Sequence, residues 1–304
     1  MNTLEPGIIA RIATGDADAC RIAADWLLER GDERGALILD ALTLEGRPNP
    51  AVRKAIKVRR AEWEGAHLER WTDPLVELGV TDWDFKRGFI DWVTVQESAL
   101  DQLPRMLELE PITRLSVVVS NGEHLRLAMK TSAFSRIREL QVLDGEVQLE
   151  SAPGLTSLSC TEASAKFVAG LPQLFPALQT LGVSGTAGGN EAVVQLTRAA
   201  LKLKRLWVSH AQVEGRMVSV LADSVTGLEE LDLSFNGVER GVLKKLGAST
   251  TLASLHSLSL LGEPRGTNGF LSSAGLPALK HLRVTRPTTK DRDLYRARRI
   301  ALWR

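Results

Sequence analysis

The sequence predicts an α/β protein: an irregular horseshoe-shaped solenoid with a parallel sheet on its concave face and helices on its convex face, preceded by a small all-α domain. Three observations predict it. One apolar spacing recurs nine times over about residues 86–287, and segments with helical periodicity separate the copies. Five of the seven tryptophans (Trp26, Trp63, Trp71, Trp83, Trp92) lie between residues 26 and 92, so the segment ahead of the repeats is of another kind.

Residues 1–45 read as the small helical domain. Ile22, Trp26 and Leu27, then Leu37, Ile38 and Leu42, give two short amphipathic helices around the polar turn Arg30-Gly31-Asp32-Glu33-Arg34. Residues 46–85 are expected to be a Trp-rich helical connector that also seals the open end of the solenoid, since terminal repeats need a cap.

The clearest repeat is LEELDLSFNGV, with Leu228, Leu231, Leu233 and Asn236 spaced L-x-x-L-x-L-x-x-N. The spacing returns as LKRLWVSHA, LQTLGVSGT, LTSLSCTEA, IRELQVLDG, ITRLSVVVS and IDWVTVQES upstream, and as LHSLSLLGE and LKHLRVTRP downstream. From Val93 to Leu282 the middle apolar residue steps by 22, 25, 18, 23, 25, 25, 27 and 24 residues, a mean of about 24. In a short strand, alternate side chains point inward, so the fourth and sixth positions of each unit are buried and the third, fifth and seventh face out. One strand cannot bury its own apolar row, whereas stacked parallel neighbours can. NEAVVQLTRAALK, GRMVSVLADSVTGL and ERGVLKKLGAST carry apolar residues three and four apart and supply the helices. On these motifs the stretch 86–287 resembles the leucine-rich-repeat family. It departs from the family pattern in its turn asparagine, present only at Asn236; Ser120, Gly145, Ala163, Thr186, Ala211, Glu263 and Pro287 stand at the other copies. The 18-residue step from Leu140 to Leu158 leaves no room for a full helix, which predicts one flattened turn.

The string Ala24-Asp25-Trp26-Leu27, Glu29, Gly31-Asp32, Arg34-Gly35 and Ile38 resembles the repeat-companion domain that precedes leucine-rich repeats in myxobacterial and planctomycete protein families. The aromatic residue usual before Ala-Asp-Trp is Ala23 here, and Asp82-Trp83-Asp84-Phe85-Lys86-Arg87-Gly88-Phe89 is similar to the connector of those proteins. The resemblance implies a bacterial repeat protein and no chemistry. Asp25 beside Trp26 and Asp32 beside Arg34 are read as structural residues of the small domain, with Trp26 its core anchor.

Composition narrows the function. Among 304 residues, 38 Lys and Arg balance 37 Asp and Glu, so no global field selects a polyanion; charged residues at 25% and hydrophobic ones at 44% fit a globular chain. Cys20 and Cys160 lie 140 residues apart, which excludes a disulfide scaffold and a zinc ribbon, and Cys160 takes a leucine position. The N-terminus lacks a basic segment followed by an apolar run, and no long uncharged apolar stretch occurs, so a cytoplasmic setting is expected.

Chemistry is sparse. His67, His124, His210, His256 and His281 form no metal-binding pair, and no metal or cofactor is expected. Gly182-Val183-Ser184-Gly185 is not a nucleophile elbow, and Thr186-Ala187-Gly188-Gly189-Asn190 reads as a turn with Asn190 as helix cap. No catalytic residue is assigned and the chain is not expected to be an enzyme. The basic runs at residues 53–60 and 288–304 are read as a solvated helix face and a C-terminal capping helix, with Leu294, Tyr295, Ala297, Ala301 and Leu302 lining one side of the latter. The expected function is binding or scaffolding of a protein partner through outward residues of the sheet: Arg205, Trp207, Ser209, Glu230, Asp232, His281 and Arg283. Ser234, Ser257, Ser259 and Thr285 share that predicted face. Alternative readings are a recognition subunit of a bacterial signalling or defence system, a nucleic-acid binder using the basic runs, and an enzyme with a dispersed site in the connector.

Overall fold

A computed structural model describes residues 4–144, 148–161, 164–185, 189–198, 202–238, 240–262, 276–285, 292, 296 and 300–303. The fold is α/β and divides into two compact units, Met1–Leu140 and Gln141–Arg304.

The first unit begins with helices α1 (Pro6–Ala13), α2 (Ala17–Leu28), α3 (Arg34–Glu45) and α4 (Pro50–Val76). Local signals set their starts. The Asp16 carboxylate accepts the Asp18 and Ala19 N–H groups, and Asn49 accepts that of Val52 ahead of Pro50. The pair α2 and α3 spans the two amphipathic stretches expected in residues 1–45. Their core joins Ile9, Ala19, Cys20, Ala23, Leu27 and Ile38 to Phe89 from the following hairpin. Trp26 lies at the margin of this core, half-buried, with the Arg30 guanidinium 3.9 Å above its ring.

Residues 80–86, largely given to a helical connector by the sequence reading, form strand β1 (Val80–Lys86), antiparallel to β2 (Phe89–Gln96). The reason is the alternation of Trp83 and Phe85 with Asp82 and Asp84, a period of two. The two-residue turn Arg87-Gly88 has positive φ at both positions, 53° and 81°, the conformation that matches strand twist in tight hairpins. Gly88 is also flush with α3, since a Cβ there would meet Ile38 Cγ1 at 2.8 Å. A 3-10 segment (Glu97–Gln102) and α5 (Leu103–Leu109) lead to β3 (Arg114–Val118), which runs parallel to β2 with Val93 opposite Leu115 and Val95 opposite Val117. Helix α6 (Glu123–Met129) follows.

Strand β4 (Glu139–Leu143) crosses from the first unit into the second, where β5 (Ser157–Cys160), β6 (Thr180–Ser184), β7 (Arg205–Ser209), β8 (Glu230–Asp232), β9 (Ser257–Leu260), β10 (His281–Val284) and β11 (Ala301–Trp303) succeed one another. Helices α7 (Ala165–Leu174), α8 (Gly189–Arg198), α9 (Gly215–Ser224) and α10 (Arg240–Ala248) alternate with β5 to β9. From β5 to β11 each strand pairs in parallel with the next. The residues that mark the sequence repeat are direct partners: Leu158, Leu181, Leu206, Leu231, Leu258 and Leu282 form one ladder, every member at most 2% exposed. Each such side chain contributes about 1.5–3 kcal/mol by leaving water, and none can do so without its neighbours. Residues 148–156 carry no helix, in keeping with the 18-residue step.

Two local expectations are corrected. Ala301 and Leu302, given to a helix, belong to β11, where Leu302 pairs with Leu282 along the edge that β10 would otherwise leave open. Of the basic run 288–304, the described residues are 292, 296 and 300–303; the rest of the expected capping helix lies outside them. Asn190 lies inside α8 rather than ahead of it, and its Oδ1 accepts the Glu214 N–H at 2.8 Å.

Candidate recognition surface

Alternation within the strands of the second unit sets every other side chain on the face opposite the leucine ladder. Register then arranges the residues in two rows. One reads Ser157, Thr180, Arg205, Glu230, Ser257, His281; the other reads Ser159, Gly182, Trp207, Asp232, Ser259, Arg283. Neighbours in a row stand about 5 Å apart across the sheet. Five of the expected residues therefore form one patch on β7 and β8, with Arg205 beside Glu230, Trp207 beside Asp232, and Ser209 completing β7 opposite Ser184. His281 and Arg283 lie on the same face two strands beyond Glu230 and Asp232, separated from them by Ser257 and Ser259.

The centre of the patch is Trp207. Its indole is half-buried, and the neighbour on β6 is a glycine: a Cβ on Gly182 would meet Trp207 Cε3 at 3.3 Å and Ser159 Oγ at 2.8 Å. The missing side chain leaves room for the indole over β6. Arg205 is exposed and directs its Nε to Thr180 Oγ1 at 2.9 Å, toward β6 and away from Glu230. Glu230 and Asp232 are half-buried; one Asp232 oxygen accepts the Ser234 N–H at 2.8 Å. Arg283 and Thr285 are exposed, as is His281.

Ser234, just past the end of β8, is 3% exposed: its hydroxyl pairs with Ser259 Oγ at 2.9 Å and accepts the Leu261 N–H at 3.0 Å. Asn236 closes this turn. Its Oδ1 accepts from the Ala211 and Val213 N–H groups, and its Nδ2 donates to the carbonyls of Val208 and Leu233.

The rim holds two residues that sequence reasoning missed. His210 and Phe235 follow β7 and β8, and their rings stack with centroids 4.4 Å apart and 13° between planes. Phe235 is 48% exposed, and both residues have left-handed backbones, φ 53° and 61°. Bulky side chains avoid that region, so the turn holds them there against strain. The available signal was an aromatic residue inside the polar turn Ser234-Phe235-Asn236-Gly237; the backbone angle that exposes it has no signature in the sequence.

In the first unit, charged groups are engaged with one another. The Arg34 guanidinium holds the 1%-exposed Glu110 carboxylate at 2.7 and 2.8 Å and donates to the Gly88 carbonyl at 2.9 Å. Arg87 bridges Glu45 and the Gly15 carbonyl, and its hydrogen bonds hold the Glu45 carboxyl below the usual carboxylate range. A small cleft lined by Ile12, Lys86, Arg87 and Asp91 adjoins these groups, but Asp91 is already paired with Arg114. Asp32 accepts the Arg34 N–H at the start of α3. In the basic run 53–60, on α4, Ile56 is buried, Arg59 pairs with Asp40, and Arg53, Lys54 and Lys57 are exposed. Burial raises the Cys20 thiol and pushes that of Cys160 up to about 12, where a thiol is inert at neutral pH.

Among the described residues, no three His, Cys, Asp or Glu side chains converge on a metal-sized site, and no helix is long and apolar enough to cross a membrane. In comparisons with known proteins, no family model and no curated protein matches this chain.

Proposed function

We propose that the chain is a non-catalytic recognition or scaffold module of the leucine-rich-repeat kind, binding a protein partner through the sheet face that carries Arg205, Trp207, Glu230 and Asp232. On this reading residues 141–304 belong to a repeat solenoid and the face is its concave side. The registered leucine ladder and the two-turn asparagine stitch at Asn236 support that architecture. The observation that carries the function is Trp207, a large aromatic side chain left half-exposed over Gly182 beside a carboxylate in register. Tryptophan and arginine at the centre of a patch are the residues that most often dominate interface energies. The mechanism is complementarity of shape and charge on strands fixed by their own ladder, so that little ordering cost falls on binding.

The test is affinity recovery from a lysate of the native host, comparing the wild type with an Arg205→Ala/Trp207→Ala variant whose circular dichroism shows it folded. The expected result is a protein recovered by the wild type and lost by the variant. Equal recovery by both, or by neither, overturns the proposal.

A further inference from the structure

The charge on this face is unevenly matched. Just ahead of β8, Glu229 is met by Lys204 at 3.7 Å, whereas on β8 itself Glu230 and the second oxygen of Asp232 make no ion pair among the described residues. The cation nearest in register to Glu230, Arg205, is turned to Thr180. Beyond β8 the outward residues are the short, uncharged Ser257 and Ser259, and the first of the next cationic side chains stands on β10. Ser259 is 6% exposed and joined to Ser234, so it forms a floor. Two carboxylates thus border a row of short serine side chains, with Trp207 one strand away from Asp232.

We infer that this surface receives an extended segment of a protein partner through a basic side chain, an arginine by preference, held by Glu230 and Asp232 against the Trp207 indole. The inference rests on the recognition function proposed above and names the chemistry of its partner. Charge complementarity selects the occupant: a cation supplies what both carboxylates lack, and an acidic segment would meet them at close range. Arginine is favoured over lysine because its planar fork can engage two carboxylate oxygens and stack on an indole together.

The experiment uses the full chain and two probes, the acetylated and amidated peptide Gly-Ser-Arg-Ser-Gly and its twin with citrulline for arginine, which keeps the shape and removes the charge. Binding is followed by NMR at the Trp207 indole N–H, assigned by its loss in Trp207→Phe. The arginine peptide is expected to shift this signal saturably and to bind about fivefold or more tightly than the citrulline peptide. In Glu230→Gln/Asp232→Asn the two peptides should bind alike; the Asn side chain keeps an oxygen for the Ser234 N–H, and unchanged Val208 and Leu231 amide shifts report an intact sheet. The single variant Glu230→Gln, which removes no hydrogen bond among the described residues, should lose part of the preference. Equal binding of both peptides to the wild type, no response to either, or a preference that survives in the double variant overturns the inference. If the partner is still recovered by the wild type and lost by Arg205→Ala/Trp207→Ala, the recognition function stands and only the basic occupant is wrong.

Discussion

The two units are stabilised by different chemistry. In residues 1–140, long-range contacts between charged side chains pin elements far apart in sequence: Arg34 to Glu110, Arg87 to Glu45, Arg114 to Asp84 and Asp91. In residues 141–304 one apolar rung is copied from strand to strand, and side-chain hydrogen bonds gather at the turns around Asn236 and Ser234. A specific ion pair fixes one arrangement and penalises loss of either partner. A leucine ladder tolerates local change, because each rung needs only another apolar neighbour. The difference teaches where variation is allowed: exposed outward residues of the second unit stand apart from the leucine ladder, and the proposed recognition function would draw on them.

The largest expected effect lies in the first unit. Glu110 is buried, accepts Arg34 through both oxygens and also takes the Ile90 N–H. Glu110→Gln leaves the guanidinium without its counter-charge in a dry site and should cost about 3–5 kcal/mol. Urea unfolding read by intrinsic fluorescence reports this directly, since five of the seven tryptophans lie in residues 26–92. A loss no greater than that of an exposed pair such as Arg105–Glu108 would erase the contrast between the units.

This contrast also explains what could be read from the sequence. The leucine ladder was legible because its spacing repeats, and α2 and α3 because their apolar residues recur at helical intervals around a polar turn. The Arg34–Glu110 pair was not, because 76 residues separate the partners and no local pattern links them. Strand β11 was misread because Ala301 and Leu302 fit a helical stripe with Leu294 as well as they fit a strand; the open edge of β10 decided the matter. Of the proposed recognition surface, parity gave the seven outward residues, whereas the Trp207–Gly182 contact depends on register and the exposure of Phe235 on a backbone angle.

A second test concerns Glu97, whose 2%-exposed carboxylate accepts the N–H groups of Ser120, Asn121 and His124 and the Ser120 hydroxyl at the start of α6. Burial alone would raise its pKa, but the backbone N–H groups of Asn121, Ser120 and Gly122 and the Ser120 hydroxyl outweigh it and bring the group down from 4.5 to about 2. The folded state binds this proton less readily than the unfolded chain. Its stabilisation is therefore full above pH 4.5 and is lost as the pH falls toward 2, a difference of about 3 kcal/mol. Glu97→Gln should lower stability at pH 7 by a similar amount and flatten the unfolding midpoint between pH 4.5 and 2. A wild type whose stability is flat across that window would show that the carboxylate is not the cap of α6.

The smallest effect should come from the second unit, at a turn where it uses polar stitching as the first unit does. Asn236→Ala removes acceptors from the N–H groups of Ala211 and Val213, both 1% exposed, and a donor from the carbonyls of Val208 and Leu233. Leaving buried backbone groups unpaired costs about 1–3 kcal/mol, below the loss of a buried ion-pair partner. Hydrogen exchange locates the effect: protection should fall at the Ala211 and Val213 amides and persist at Leu206 and Leu231 in the ladder. Asn236→Asp sharpens the result, since it keeps the acceptor and loses the donor, so the two amides should stay protected while stability still drops. If exchange instead accelerates along the whole ladder, the rungs depend on the turn, and the second unit is as sensitive to single polar contacts as the first.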